Sequence, residues 1–494
     1  MLTDPVVHTT SGDVRGVDNG TAKEWRGIPF AAPPVGNLRW RPPAAAASWT
    51  GVRDATTFAP PCIQVDPGAP GGTSGSENCL YLNVFAPSTA TASSKLAVLV
   101  HLHGGGNTGG AAYTDARAFT SRNVTVVTLQ YRLGTLGFIG HPKLSAENGG
   151  ASGEYGLLDQ LAALRWVQSN ITAFGGDKAR VTLFGASAGS YDAVAIMTSP
   201  MGEGLLQRAA IQSEHFRALT GDDNRMADAE RLGVTTFASL GCQGAANELA
   251  CLRAKPADAL VKAADPNLAL YPWIDGQVLP RTPLKLVTER ETVPLLIGHN
   301  REDDRAFIKP KEPFTPDVYF TYSRYLVGRD YDDQARDLYR PEDYPSRFWA
   351  YVTMETDTVR GCQVRKLARA VKTQVPVYRY LYTHVYQNHP GLADLRASHI
   401  LEDLFLWHAF ANIPYTPTAA EEQLSKNMTD YWTNFAKTAD PDGPGLLHWP
   451  RNNRGHEPTL VLDNQLGVTD RFHDTQCNFL DTVPEIFPKE ESTP

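Results

Sequence analysis

Val181-Thr182-Leu183-Phe184-Gly185-Ala186-Ser187-Ala188-Gly189 is the stretch on which the reading of this chain turns. Four apolar or β-branched residues form a short buried strand, and Gly185 through Gly189 match G-x-S-x-G directly after it. Ser190–Met197 then reads as helix. A serine between strand and helix in this pattern occupies a turn so tight that side chains at the two glycines would collide with neighbouring elements. The turn pushes the hydroxyl out at the strand end, onto a helix N-terminus. Similar apolar runs recur at Ala97–Leu102, Val124–Leu129, Ala209–Gln212, Pro294–Ile297, Val377–Tyr382 and Thr459–Leu462. Between the second of these and the serine strand, Gly156–Ala173 carries Leu157, Leu158, Leu161, Leu164, Val167 and Ile171 at helical spacing. This predicts an amphipathic helix, stopped by Gly175-Gly176-Asp177. Strands alternating with helices predict an α/β fold with a largely parallel sheet covered on both faces. The N-terminal pieces Val14–Val17 and Leu80–Phe85 suit an antiparallel edge.

Composition narrows the partners. The chain has 494 residues, 42% hydrophobic and 20% charged, a globular balance that excludes long disorder. A net charge of −8 argues against nucleic acid or an anionic membrane as the main partner. No apolar run approaches the ~18 residues of a transmembrane segment. No break in composition divides the chain, so 1–494 reads as one domain with insertions, 302–375 being the largest excursion. Six cysteines contain no CxxC pair, and the close pairs 62/79 and 242/251 point to disulfides and an oxidising compartment, against six buried thiols in a cytosolic enzyme. The N-terminus shows no apolar leader, and the expectation is a secreted or periplasmic protein with its signal peptide absent from this chain.

A serine at its normal pKa is a weak nucleophile and needs a base and an anion site. His103-Gly104-Gly105-Gly106 follows the strand Ala97–Leu102. Consecutive glycines let successive N–H groups converge on one oxygen. With Ala188 N–H, those of Gly105 and Gly106 are expected to form a three-donor oxyanion hole, the alternative being a plain glycine-rich loop. The same loop matches G-x-G-x-x-G, but the next strand ends in Gln130-Tyr131-Arg132 and lacks the acid that would hold a ribose. His101 and His103 form an H-x-H pair with no third metal ligand placed by spacing, and read as structural histidines.

Several further motifs resemble one family, the type-B carboxylesterases of the carboxylesterase/lipase/cholinesterase group. They are Gly27-Ile28-Pro29-Phe30-Ala31, Pro33-Pro34-Val35-Gly36 and Leu38-Arg39-Trp40. Ser76-Glu77-Asn78-Cys79-Leu80-Tyr81-Leu82-Asn83 is similar to S-E-D-C-L-Y-L-N, with Asn78 in place of Asp. Tyr131-Arg132-Leu133-Gly134, Asp159-Gln160, Trp166-Val167 and Phe174-Gly175-Gly176-Asp177 complete the likeness, which covers nearly the whole chain.

The resemblance implies an α/β-hydrolase fold: a large, mostly parallel central sheet with helices on both faces and helical insertions. It implies a serine hydrolase of small-molecule carboxylic esters that works through an acyl-enzyme and needs no metal or organic cofactor. Ser187 would be the nucleophile. His399, in His399-Ile400-Leu401-Glu402 with Ile400 replacing a usual Gly, would be the base. The family acid is usually Glu. Anchoring Gly298, Asn300 and Phe307 places Asp303 there, with its neighbours Glu302 and Asp304 the alternatives if the loop shifts by one residue. His408, beside Trp407, reads as packed, and His384 and His389 have no assigned role. The implied bridges are Cys62–Cys79, Cys242–Cys251 and Cys362–Cys477. Ala186, Asn107, Gln130, Glu214 and His215 depart from the family around the serine and imply altered substrate recognition or altered supporting contacts. A cholinesterase would carry a Trp between Cys62 and Cys79 to hold choline, and residues 63–78 contain no aromatic. A non-catalytic adhesion relative would have lost the serine or histidine, and both are present.

Overall fold

The computed structural model describes residues 4–221, 224–265, 269–308, 313–453, 455–484 and 486–487. The chain forms two compact units. One spans Met1–Ile211, Arg217–Pro294 and Trp432–Asp440, the other Gln212–Phe216, Leu295–Tyr431 and Pro441–Pro494.

In the first unit, Leu96–Leu102 is central and runs parallel to Val124–Leu129 on one side and Gly176–Ala186 on the other. These strands bury successive residues rather than alternate ones, as a sheet covered on both faces requires. Tyr81–Pro87 and Ala22–Pro29 extend the sheet antiparallel. The expected strand Val14–Val17 is corrected: Gly12–Arg15 belongs to a separate three-stranded sheet, and Val17–Asp18 pairs with Ala22–Pro29. The chain changes sheets at Gly16, where a Cβ would lie 2.4 Å from the Glu24 carbonyl oxygen.

Two arginine–carboxylate forks join the sequence motifs of this unit. Arg39 meets both oxygens of Glu77 at 2.6 Å, and Arg132 meets both oxygens of Asp159 at 2.7 Å. The latter explains a second correction. The helix Tyr155–Asn170 is buried nearly all round, with only Arg165 and Ser169 exposed, rather than amphipathic. Three of its buried polar side chains find partners inside the fold: Asp159 pairs with Arg132, Gln160 Nε2 donates to Asp192, and Asn170 Oδ1 accepts Thr10 N–H.

In the second unit, Leu295–Asn300, Val377–Tyr382 and Pro458–Leu462 run parallel, and Gly467–Asp470 adds an antiparallel edge. Between the first two lie Pro316–Val327, Asp332–Leu338, Arg347–Thr356 and Cys362–Val371, with a π-helical turn at Asp357–Gly361. Their apolar faces bury Leu326, Ala335, Tyr351 and Met354.

Cys62–Cys79, Cys242–Cys251 and Cys362–Cys477 are bonded, and no cysteine is free among the described residues. The last closes a loop of 115 positions. Constraining the unfolded chain over such a loop is worth about 4–5 kcal/mol in the chain-entropy model. Cys362→Ser with Cys477→Ser is therefore expected to lose a stability of that order in equilibrium urea unfolding, while retaining ester turnover under native conditions. Unchanged stability, or six titratable thiols in oxidatively purified protein, would overturn the role given to these bridges.

Candidate active site

Ser187 sits between the strand Gly176–Ala186 and the helix Ala188–Thr198, at φ 57° and ψ −129°. A non-glycine residue in this region stores on the order of 1–3 kcal/mol of strain and persists only where its surroundings over-determine it. Here they do. The Ser187 carbonyl accepts Ser190 N–H at 2.8 Å and Ser190 Oγ–H at 2.6 Å. A Cβ on Gly185 would lie 2.1 Å from the Gly189 oxygen, and one on Gly189 would lie 2.2 Å from the Leu102 oxygen. The G-x-S-x-G spacing is thus the record of two backbone approaches too close for any side chain.

The glycine loop leaves the adjacent strand, Leu96–Leu102, at the same end. A Cβ on Gly104 would come within 3.1 Å of Ser187 Cβ, so the loop lies directly against the serine. Gly105 and Gly106 have φ of 114° and 63°. Ala188 is fully buried at the start of the helix, whose aligned N–H groups favour negative charge. His103 does not face outward. Its ring stacks on Tyr131 at 4.4 Å, its Nδ1 lies 2.9 Å from the Gly104 oxygen, and burial pushes its pKa down to about 4. His101 packs on Phe184 at 5.0 Å.

The second unit brings His399 and Asp303 together. Asp303 opens a short 3-10 turn after the strand Leu295–Asn300, and His399 follows Ser398 in a loop. His399 Nδ1 is hydrogen-bonded to Asp303 Oδ1, and His399 N–H donates to the Asp303 carbonyl at 3.1 Å. Asp303 Oδ2 accepts Ser213 Oγ–H at 2.6 Å and Asn300 N–H at 2.9 Å. Burial opposes ionisation of Asp303, but His399, Arg360 and Ser213 together hold its carboxyl below the usual range. Burial and Arg360 push the His399 pKa down, against the pull of Asp303. His399 Nε2 is buried without a hydrogen-bond partner among the described residues.

The three adjacent acids take three different partners. Glu302 pairs with Arg301 at 2.9 Å and Arg396 at 3.6 Å, and accepts Ala397 N–H. Asp304 faces Arg360 at 3.1 Å, and burial pushes its pKa up to about 7 against that pairing. Only Asp303 of the three hydrogen-bonds His399 among the described residues. Arg360 also donates to the Ser213 carbonyl at 2.9 Å, tying the two residues that flank the acid. Neither Ser213 nor Arg360 carried a motif by which sequence reasoning would have found it: they lie 90 and 57 positions from Asp303 (303 − 213 and 360 − 303).

One expectation about the histidines is corrected. His408 is exposed rather than packed, with Nε2 2.7 Å from Glu422, because a positive φ of 50° turns it away from buried Trp407. His384 is buried between Asp463 and Glu421, each at 2.9 Å, and His389 accepts Leu392 N–H at the start of a short helix. Both are structural clasps.

A family model described as "Carboxylesterase family" matches residues 3–480. The chain is 34% identical over 491 residues to the fumonisin B1 esterase of Sphingopyxis macrogoltabida, covering 94% of this chain and 87% of that protein. It is 33% identical over 496 residues to the para-nitrobenzyl esterase of Bacillus subtilis (strain 168), covering 94% and 96%. A solved PNB esterase superimposes with a TM-score of 0.83 at 32% identity, covering 97% of this chain and all of that one.

Proposed function

The chain belongs to the carboxylesterase family, with its α/β-hydrolase fold, and from that premise we propose that Ser187, His399 and Asp303 form its catalytic triad. The protein is a carboxylic ester hydrolase. In the proposed cycle, His399 Nε2 takes the proton of Ser187 Oγ as that oxygen bonds to the ester carbon. Asp303 accepts the Nδ1 proton and stabilises the imidazolium. The N–H groups of Gly105, Gly106 and Ala188 hold the tetrahedral oxyanion. Collapse breaks the bond to the alkoxy oxygen, which leaves as alcohol with the proton from His399. Water then repeats the sequence on the acyl-enzyme, releasing the acid and restoring Ser187.

The observation that carries this assignment is the strained Ser187 backbone, held at φ 57° on a helix N-terminus against a glycine loop. The test is labelling: one equivalent of an organophosphonate should stop turnover and reside on the peptide containing Ser187. Label on any other residue would sink the assignment.

A pH profile checks the base independently. A histidine must be neutral to take a proton, so kcat/KM rises with pH through its pKa. Burial and Arg360 lower the His399 pKa from the usual 6.5. The acid limb of kcat/KM is therefore expected to have its midpoint below pH 6.5. A midpoint above that value would contradict a base whose charged form is disfavoured.

We read the whole chain as one catalytic domain, on the support of a family match that runs unbroken over residues 3–480. We place it in an oxidising compartment, secreted or periplasmic, on the support of three disulfides; the thiol titration above tests this too. Its substrates are small-molecule esters. The relatives' names span fumonisin B1, cocaine and para-nitrobenzyl esters, so p-nitrophenyl esters of graded acyl length and bulky polycarboxylic esters are the panel that defines them.

A further inference from the structure

We infer that the buried hydrogen bond between Asn107 and Asp192 aligns the oxyanion loop with the serine helix, making these two side chains positioning residues for ester hydrolysis. The inference rests on the roles proposed for Ser187, Gly105, Gly106 and Ala188.

Three consecutive glycines have no side chains with which to fix themselves. Their N–H directions must be set from the flanks, and Asn107 is the next residue. It is fully buried at φ 59°, a left-handed conformation that Asn tolerates better than most residues. Its side chain is used at both ends. Nδ2 donates to Asp192 Oδ1 at 3.0 Å and to the Leu270 carbonyl at 3.1 Å, and Oδ1 accepts the Tyr131 hydroxyl at 3.3 Å. Leu270 N–H in turn donates to the Gly106 carbonyl at 2.9 Å, closing a clamp around the last glycine.

Asp192 stands five positions after Ser187 on the helix Ala188–Thr198, which begins with the third proposed oxyanion donor. Its other oxygen, Oδ2, is held by Gln160 Nε2. Gln160 adjoins Asp159, which is locked to Arg132. The loop, the serine helix and the long helix Tyr155–Asn170 thus meet at one carboxylate. Burying an acid there is expensive: burial pushes the Asp192 pKa up to about 7, although Gln160 and Asn107 pull it down. An apolar side chain would fill the space at less cost. What it could not do is fix the direction of the loop relative to the helix. Catalysis by preorganised N–H groups is sensitive to that direction, and a displacement of ~1 Å costs on the order of 10²-fold.

The test compares Asp192→Ala, Asn107→Ala, the double variant and Asp192→Asn with an activated ester. Each alanine variant should lose roughly 10–100-fold in kcat with KM unchanged, the pattern of an interaction made only in the transition state. The double variant should be no worse than the worse single, because all three break one contact. Affinity for a trifluoromethyl ketone, whose adduct carries the oxyanion, should fall in parallel with kcat. Asp192→Asn should recover most of the rate. Its oxygen accepts from Asn107, and its amide can donate to Gln160 Oε1, which is without a partner among the described residues, once that amide flips. Parental kcat in both single variants, losses confined to KM, losses that multiply in the double variant, or no rescue by Asp192→Asn would overturn the inference. If Asp192→Ala fails to fold, Asn107→Ala and Asp192→Asn still decide it. Phosphonate labelling of the parent separates the outcomes: a labelled Ser187 with indifferent variants sinks only the positioning role, and an unlabelled Ser187 sinks the proposed triad beneath it.

Discussion

Ser187→Ala is expected to lower kcat by on the order of 10⁶ and to abolish phosphonate labelling, while the far-UV circular dichroism and thermal midpoint stay close to those of the parent. The size follows from what is removed. In the proposed cycle no acyl-enzyme forms without Oγ, and His399 has no hydroxyl to deprotonate. The residual rate is what the oxyanion donors achieve with water as nucleophile. The fold should survive because Ala keeps the Cβ and meets the same backbone constraint. The approaches at Gly185 and Gly189 that hold φ at 57° involve no serine side-chain atom. A variant that folds normally and retains near-parental turnover would defeat the mechanism.

Asp303→Asn is expected to cost as much as ~10⁴ in kcat. The reason lies in the two oxygens. Oδ2 accepts from Ser213 Oγ–H and from Asn300 N–H, and a backbone N–H cannot turn into an acceptor. The amide oxygen of the variant must therefore occupy the Oδ2 place, leaving its NH₂ group against His399 Nδ1. That arrangement stabilises the tautomer with the proton on Nε2, the nitrogen proposed to take the Ser187 proton. Glu302→Gln should change kcat little, because Glu302 pairs with Arg301, Arg396 and the Ala397 N–H instead. Asp303→Glu should lower kcat rather than restore it, since Ser213 and Asn300 fix the carboxylate and the extra methylene has to crowd the imidazole. Steady-state kinetics of the three variants on one ester, with melting temperatures matched, is the measurement. A larger loss in Glu302→Gln than in Asp303→Asn would move the acid one residue upstream.

The strands, the serine turn and the glycine loop were legible in the sequence because each is a local requirement. A strand covered on both faces needs a continuous apolar run, and Val124–Leu129 shows one over its whole length. The tight turn at Ser187 needs small residues where backbones approach, and Gly185 and Gly189 stand at those approaches. The place of the acid could be narrowed to three neighbours by Gly298, Asn300 and Phe307 for the same reason. Gly298 is required by the Tyr380 ring, 2.3 Å from where its Cβ would be.

Tertiary structure alone decided how the polar groups pair. Glu302, Asp303 and Asp304 are equivalent as letters. Their partners Arg396, His399 and Arg360 arrive from 56 to 96 positions away, and only the turn beginning at Asp303 determines which carboxylate meets the imidazole. Asn107 and Asp192, 85 positions apart, read singly as a loop residue and a helix residue. The all-round burial of Tyr155–Asn170 was hidden likewise, since Asp159 and Gln160 look solvent-facing until Arg132 and Asp192 are brought to them. Apolar periodicity is written along the chain because burial is a property of each residue. A hydrogen bond belongs to two residues and has a direction, so a buried polar side chain remains uninterpreted until the fold supplies its partner.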